Sequence, residues 1–131
     1  GQGNDVVMVP KRYFYFDYYQ TAYPSANGEP LGIGGYVPLE RCYSFDPFDG
    51  LDGEARTHIK GIQANTWTEY IPCFDHVQHM DLPRLSALSE VAWGRYGADY
   101  GDFTHRLASS MKAMYEYYGW IYAPYVFDGV K

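Results

Sequence analysis

The chain has 131 residues, 47% hydrophobic and 20% charged, which indicates a globular domain with its own core and excludes a disordered chain. Its 10 basic and 16 acidic residues give a formal net charge of −6, which argues against a nucleic-acid partner because neutralising phosphates requires Lys and Arg. No apolar run approaches the roughly 18 residues of a membrane span, so no membrane segment is expected.

The first half of the chain predicts one strand followed by a long loop. The segment "DVVMVP" (5–10) is a short β-branched run closed by proline, which is typical of a buried strand. The segment "KRYFYFDYYQ" (11–20) follows it and is too aromatic for an ordinary linker. Residues 21–57 are rich in glycine and proline, and we expect a mostly irregular loop with one helical turn at "PLERCY". Loops of this length in compact domains are usually functional.

The second half predicts a strand at "HIKGIQANTW" (58–67) and then two helices. The first helix is expected over 73–94, with Asp81 as an N-cap. The second is expected over 99–119, where Gly119 would end it. The apolar stripe expected on the first helix is Leu85, Leu88 and Ala92. The stripe expected on the second is Phe103, Leu107, Met111, Met114 and Tyr118.

The order strand, long loop, strand, helix, helix predicts an incomplete α/β fold. Both strands read as buried on two faces, as strands of a parallel sheet are. Two strands alone cannot make such a sheet, because their open edges would pair with other chains. We therefore predict a piece of a larger α/β barrel.

Each predicted strand ends in an aromatic residue, any residue, and an acid. Tyr15 and Asp17 follow the first strand, and Trp67 and Glu69 follow the second. Residues two apart in extended backbone point the same way, so each strand end would present a flat aromatic face beside a carboxylate. If the strands are neighbours, all four side chains converge at the carboxyl rim of a barrel, where barrel active sites lie.

This combination of side chains favours a sugar ligand. A pyranose has an apolar face that packs on an aromatic ring, and its hydroxyls donate to carboxylates, which only accept. A phosphorylated ligand would require Arg, Lys or a glycine-rich helix start, and none stands at these strand ends. The alternative is that the two aromatic residues belong to the core and the two acids are solvated.

The segment "KGIQANTWTEYI…VQHMDLPRLSALSEVAWG" resembles the end of the catalytic barrel of family-20 glycoside hydrolases, the β-N-acetylhexosaminidases. The family has a Trp-Thr-Glu after its last barrel strand, and then a helix with a characteristic spacing. Here that spacing is filled by Met80, Pro83, Arg84, Ala87, Glu90 and Trp93. The segment "VVMVPKRYFYFDYYQ" resembles the preceding strand with its Tyr-x-Asp, and "PLERCYSFDP" the loop between them. The resemblance covers residues 5 to about 120.

The resemblance implies a retaining, substrate-assisted hydrolysis of terminal β-linked N-acetylhexosamine, in which the substrate's 2-acetamido oxygen attacks C1. By position, Tyr15 would hydrogen-bond that acetamido oxygen. Asp17 and Glu69 would accept hydrogen bonds from the 6- and 4-hydroxyls of the sugar. Trp67 would form a wall of the acetamido pocket.

One feature of the family is missing, because the chain contains no Asp-Glu dipeptide. The family's catalytic Asp-Glu pair lies on an earlier barrel strand and protonates the leaving oxygen, and without it cleavage at neutral pH has no proton donor. We therefore expect residues 1–131 to be the C-terminal part of a (β/α)8 catalytic barrel, with about the last two strands. It would be inactive alone and prone to self-association through its open edges. No cofactor is expected, and the resemblance implies a secreted, periplasmic or lysosomal protein.

Other interpretations of the sequence remain open. A non-enzymatic carbohydrate-binding module would suit the acidic, tyrosine-rich composition, and a structural remnant that assembles only with itself is a third possibility. Cys73, His76 and His79 invite a zinc interpretation, but their spacing drifts around a helix and no fourth ligand is evident, so no metal is expected. The "GIGG" at 32–35 is very weak evidence for a nucleotide loop, because no helix follows it. Arg84 and Glu90 are expected to fix packing.

Overall fold

Two short parallel strands organise the part of the chain that the computed structural model describes, residues 3–128. β1 spans Val6–Met8 and β2 spans Ile59–Ile62. Met8 lies opposite Ile62, in parallel pairing. The existence and the parallel direction of both predicted strands are therefore confirmed, but β2 ends well before Trp67.

The pairing of the two segments resumes beyond the strands. A single helical turn, α1 (Lys11–Phe14), interrupts the first segment. After it, Tyr15 lies opposite Asn65 in parallel. The Phe16 N–H donates to the Asn65 carbonyl at 2.8 Å, and the Asn65 N–H donates to the Phe14 carbonyl at 2.9 Å. Because of this second pairing, the residues that follow the two segments emerge side by side.

The strands are not buried on both faces within residues 3–128, so that expectation is wrong for the described chain. Val6 is 44% exposed and Val7 is 52% exposed. An apolar, β-branched run is buried in a parallel sheet only when neighbouring strands and helices cover it, and no other strand of the described residues pairs with either edge.

The long loop carries two short helices. α2 (Leu39–Tyr43) forms at the predicted turn "PLERCY", which confirms that expectation. α3 (Gly53–Thr57) was not predicted. It begins where the carboxylate of Asp52 accepts a hydrogen bond from the Ala55 N–H at 2.8 Å, which is N-cap chemistry.

The predicted helix over 73–94 is divided into α4 (Phe74–Asp81) and α5 (Arg84–Glu90). The boundary falls at Pro83, which cannot donate to a helical carbonyl and whose ring clashes with the preceding turn. The prediction of Asp81 as an N-cap is wrong. Asp81 is the last residue of α4, and its carboxylate accepts a hydrogen bond from the Thr66 hydroxyl at 2.6 Å.

The apolar stripe predicted for the helix over 73–94 is also wrong. Leu85 is 39% exposed and Ala92 is exposed, whereas Leu88 is half-buried. The face that packs inward instead carries Arg84, Ala87 and Val91. The buried positions keep the predicted spacing of three and four but start one residue earlier. The face turned inward is the one on which the Arg84 guanidinium donates hydrogen bonds to buried backbone carbonyls, and apolar spacing alone does not reveal a face chosen by a charged residue.

The third helical segment is continuous from α6 (Tyr100–Arg106) to α7 (Lys112–Tyr118), and Gly119 ends it in a left-handed conformation, as predicted. A π-helical turn over 107–111 joins the two. Phe103 and Leu107 are buried as predicted, but Tyr118 is 60% exposed and Tyr115 is buried instead. A π turn changes the rotation per residue, so positions after it no longer follow the predicted stripe.

An aromatic core joins the long loop to the helices. The Tyr43 ring of α2 stacks on the Phe103 ring of α6, with centroids 4.2 Å apart and an interplanar angle of 12°. The Glu90 carboxylate accepts hydrogen bonds from the Arg106 guanidinium and, at 3.1 Å, from the Tyr43 hydroxyl. The Arg106 bonds lower the pKa of Glu90. The expected packing role of Glu90 is therefore confirmed.

Among residues 3–128, no helix has both the length and the apolar character needed to cross a bilayer.

Candidate functional site

A cleft of about 410 Å³ lies where the two paired segments end. Its lining residues are Lys11, Tyr15, Asp17, Tyr18, Ile33, Trp67 and Glu69. The structure thus brings all four predicted site residues into one space. The backbone route differs from the expected one, because the chain turns directly after Tyr15 instead of continuing as a strand to Asp17.

The two predicted aromatic residues contact each other edge to face. The ring centroids of Tyr15 and Trp67 are 6.3 Å apart at an interplanar angle of 61°. Tyr15 is half-buried, whereas Trp67 is 49% exposed. Because Trp67 lines the cleft and half of its surface is exposed, its ring offers apolar surface on which an apolar sugar face can pack.

Asp17 is the buried acid of the cleft, with 3% of its surface exposed. Among the described residues, its Oδ1 has no hydrogen-bond donor. Burial raises the pKa of Asp17, and the negative charge of Glu69 adds to the rise. A buried oxygen that lacks a donor is costly unless a ligand supplies one. Asp17 is therefore suited to accept a hydrogen bond from a hydroxyl group in the cleft.

Glu69 is the exposed acid of the cleft. It lies on the other segment from Asp17, two residues beyond the exposed ring of Trp67. The cleft therefore offers one buried and one solvated carboxylate, with aromatic rings alongside them. Such an arrangement can bind two hydroxyls of one polar ligand at different depths.

Three further lining residues were missed at the sequence level. The Tyr18 ring packs edge to face on Tyr15, with centroids 6.2 Å apart. The Lys11 ammonium lies 5.6 Å from the Tyr18 ring centroid, and Ile33 reaches in from the long loop. The aromatic density of residues 11–20 was the only available signal, and it does not indicate which rings face the cleft.

The "GIGG" segment covers the Tyr18 side of the cleft. Gly35 has a φ of +75°, and a Cβ placed there would lie 2.5 Å from the Tyr18 ring. At Gly32, a Cβ would lie 3.0 Å from the Asp17 carbonyl oxygen. The Ile33 N–H donates to that same oxygen at 3.3 Å. These glycines therefore allow the loop to approach the cleft wall closely, and this accounts for the motif without a nucleotide.

The histidine and cysteine residues do not assemble a metal site. Among residues 3–128, no three His, Cys, Asp or Glu side chains are grouped so that they could hold one metal ion. His79 instead lies 3.3 Å from the Glu29 carboxylate, and His76 is buried, with a pKa lowered by that burial. Cys42 and Cys73 are both free thiols, the first buried and the second exposed.

The sequence model described as "Glycosyl hydrolase family 20, catalytic domain" matches residues 1–95. The chain belongs to glycosyl hydrolase family 20. It is 36% identical over 107 residues to a β-hexosaminidase of Porphyromonas gingivalis, covering 79% of this chain and 13% of the relative. It is 31% identical over 107 residues to a β-N-acetylhexosaminidase of Cellulomonas fimi, covering 81% of this chain and 21% of the relative.

Solved structures of family 20 share the fold of this chain. One is the β-N-acetylhexosaminidase from Streptomyces coelicolor, with a TM-score of 0.77 and 29% identity over 93% of this chain and 24% of that one. Another is the exo-β-N-acetylglucosaminidase from Vibrio harveyi in complex with N-acetylglucosamine, with a TM-score of 0.76 and 29% identity. That match covers 92% of this chain and 19% of the Vibrio chain. The predicted fold class, a portion of a TIM barrel, is confirmed. The chain spans about a fifth or less of the curated relatives described above.

Proposed function

We propose that this family-20 chain is the C-terminal part of the catalytic barrel of a longer, exo-acting β-N-acetylhexosaminidase. The reaction would release terminal β-linked N-acetylhexosamine with retention of configuration. The observation that carries the proposal is the convergence of two aromatic rings and two carboxylates in a single cleft. The names of the relatives, which are hexosaminidases, supply the substrate class.

Tyr15 is the residue of this chain that we assign to the chemical step. In substrate-assisted hydrolysis, the 2-acetamido oxygen attacks C1 while the bond between C1 and the leaving oxygen breaks, and the leaving oxygen takes a proton. Water then opens the resulting oxazolinium ion from the same face as the departed group, so the configuration is retained. The Tyr15 hydroxyl would donate a hydrogen bond to the acetamido oxygen and hold it within reach of C1.

The other three residues bind the non-reducing sugar. Asp17 and Glu69 would accept hydrogen bonds from the 6- and 4-hydroxyls, so a sugar whose 4-hydroxyl carries another residue would be excluded. Trp67 would form a wall of the acetamido pocket. Its contact with Tyr15, at 6.3 Å between centroids, supports this role, because the acetamido group must lie next to both residues.

The proton donor must come from residues outside this chain. A retaining hexosaminidase requires a carboxylic acid to protonate the leaving oxygen, and the 131 residues contain no Asp-Glu pair to supply it. The chain alone would therefore bind sugar without turning it over.

The test compares the full-length gene product with residues 1–131 alone. The full-length protein is expected to hydrolyse p-nitrophenyl N-acetyl-β-glucosaminide and to release the β-anomer first, as seen by proton NMR, whereas the chain alone releases no nitrophenol. An α-anomer as first product would contradict the mechanism. A full-length protein that binds N-acetylglucosamine without hydrolysing the reporter would support the carbohydrate-binding module instead.

We also propose that residues 1–131 self-associate when they are produced alone. Val6 and Val7 are about half exposed on a two-stranded sheet. Exposed apolar strand edges are templates for pairing with another chain. Light scattering after gel filtration should give a mass above 15.0 kDa, and a clean monomer would contradict this proposal.

A further inference from the structure

Arg84, the first residue of α5, is fully buried but is not neutralised by a carboxylate. Within residues 3–128, none of its nitrogens forms an ion pair with Asp or Glu. Burial lowers the pKa of Arg84 to about 10, so the guanidinium still carries its charge at neutral pH. An apolar residue of similar volume would avoid the desolvation cost of a buried cation, so packing alone does not explain an arginine here.

The guanidinium instead donates hydrogen bonds to four backbone carbonyls from three separate segments. Two of these carbonyls lie on either side of Asp17, namely Phe16, at 2.5 Å, and Tyr18, at 3.0 Å. A third is Val37 in the long loop, at 3.1 Å, and the fourth is Met80 in α4, at 3.0 Å. The planar fork of five N–H donors can span such a set, whereas the single ammonium of lysine cannot.

The aromatic neighbour of Arg84 belongs to the same turn. The guanidinium carbon lies 4.6 Å from the centroid of the Phe16 ring, which is also fully buried. Phe16 is therefore held both at its carbonyl oxygen and at its ring face. The turn that follows Tyr15 has no regular secondary structure, and these contacts fix it against α5.

We propose that Arg84 is a positioning residue, whose hydrogen bonds to the carbonyls of Phe16 and Tyr18 hold the Asp17 carboxylate at its place in the cleft. This inference rests on the proposed function for the ligand that Asp17 meets. The guanidinium itself does not line the cleft, so it acts on the sugar only through the turn at 16–18. An Arg84→Lys substitution would keep the charge and loosen the turn.

The experiment is a double-mutant cycle in the full-length protein, with kcat/KM for p-nitrophenyl N-acetyl-β-glucosaminide as readout. Displacing a binding group by about 1 Å can lower rates on the order of 100-fold, so Arg84→Lys should lower kcat/KM by about 10- to 100-fold. In an Asp17→Ala background, the same substitution should lower it by less than about threefold, because the group that it positions is already gone.

Arg106→Lys is the matched control. Arg106 is a helical arginine that pairs with Glu90 away from the cleft. Any effect of Arg106→Lys should therefore be the same factor in the presence and absence of Asp17. Equal factors for Arg84→Lys in both backgrounds would overturn the proposal, because a merely structural role would multiply with the loss of Asp17.

Hydrogen exchange gives a second measurement that does not depend on catalysis. Arg84→Lys should speed amide exchange several-fold in peptides covering 14–20 and 31–38, and leave α6 and α7 unchanged. Uniformly faster exchange would show general destabilisation and would overturn the proposal. If the variant does not fold, a crystal structure of the unsubstituted protein decides, and a guanidinium away from the Phe16 and Tyr18 carbonyls refutes the proposal. If the unsubstituted protein does not hydrolyse the reporter, the proposed function fails. Hydrogen exchange and the crystal structure then still test whether Arg84 holds the turn at 16–18.

Discussion

Replacing Gly35 by alanine should displace the Tyr18 ring, which lines the candidate cleft. The added Cβ would lie 2.5, 2.7 and 2.9 Å from three atoms of that ring. The closest distance is about 1 Å short of ordinary carbon–carbon contact. The ring itself packs on Tyr15, so a displaced Tyr18 transmits the change to the residue that we assign to the acetamido group.

Two contributions to the expected destabilisation can be separated. Gly35 has a φ of +75°, and a left-handed conformation costs an alanine about 1–2 kcal/mol. Overpacking against the ring adds about 1–3 kcal/mol. Gly28 is the matched control, because it lies in the same loop with a φ of +64° and has nothing within 4 Å of an added Cβ. Gly28→Ala should therefore be destabilised by the backbone contribution alone.

The assay measures kcat/KM and thermal melting of both variants in the full-length protein. Gly35→Ala should lose activity on the order of 100-fold, since the cleft wall moves by about 1 Å, whereas Gly28→Ala should stay within about threefold of wild type. Adding Tyr18→Ala should restore much of the melting temperature lost by Gly35→Ala, because the overlap is gone. Equal losses in the two glycine variants, with no recovery on adding Tyr18→Ala, would refute the steric argument.

Three further predictions concern single side chains. Tyr15→Phe should lower kcat by about 100-fold, with a melting temperature close to wild type, because it removes one hydrogen bond to the reacting acetamido group; a kcat within a factor of two would exclude Tyr15 from the mechanism. Burial raises the pKa of Asp17 above the value of about 3.9 that an aspartate has in the unfolded chain. The folded state therefore binds a proton at Asp17 more tightly than the unfolded state, and stability falls as the pH rises from the unfolded pKa through the raised folded pKa. Asp17→Asn should therefore raise the melting temperature at pH 7, by a margin that shrinks toward pH 4, while lowering kcat/KM; a margin independent of pH would contradict this. Burial raises the pKa of Cys42 to about 12, so iodoacetamide at pH 8 should label exposed Cys73 and spare Cys42 until the protein is denatured, and equal native labelling would contradict the buried position.

The helical part of the chain shows where sequence periodicity is sufficient and where it is not. Phe103 and Leu107 were correctly assigned to the core, because apolar spacing along one uninterrupted helix fixes one buried face. The π turn after Arg106 could not be predicted from spacing, and it transferred burial to Tyr115. A local change of helical phase depends on how the helix packs, not on the order of apolar residues.

For the site, the sequence alone determined the residue types and the two segments that carry them. The same pattern of an aromatic residue, any residue and an acid follows each of two apolar segments that pair in parallel. This repetition selected Tyr15 and Asp17 on the first segment, and Trp67 and Glu69 on the second. Only the tertiary structure decided that Asp17 is the buried acid and that its turn is held by Arg84, 67 positions further along the chain. Burial and hydrogen bonding between distant segments depend on how the long loop packs against α5, and no local pattern encodes that packing.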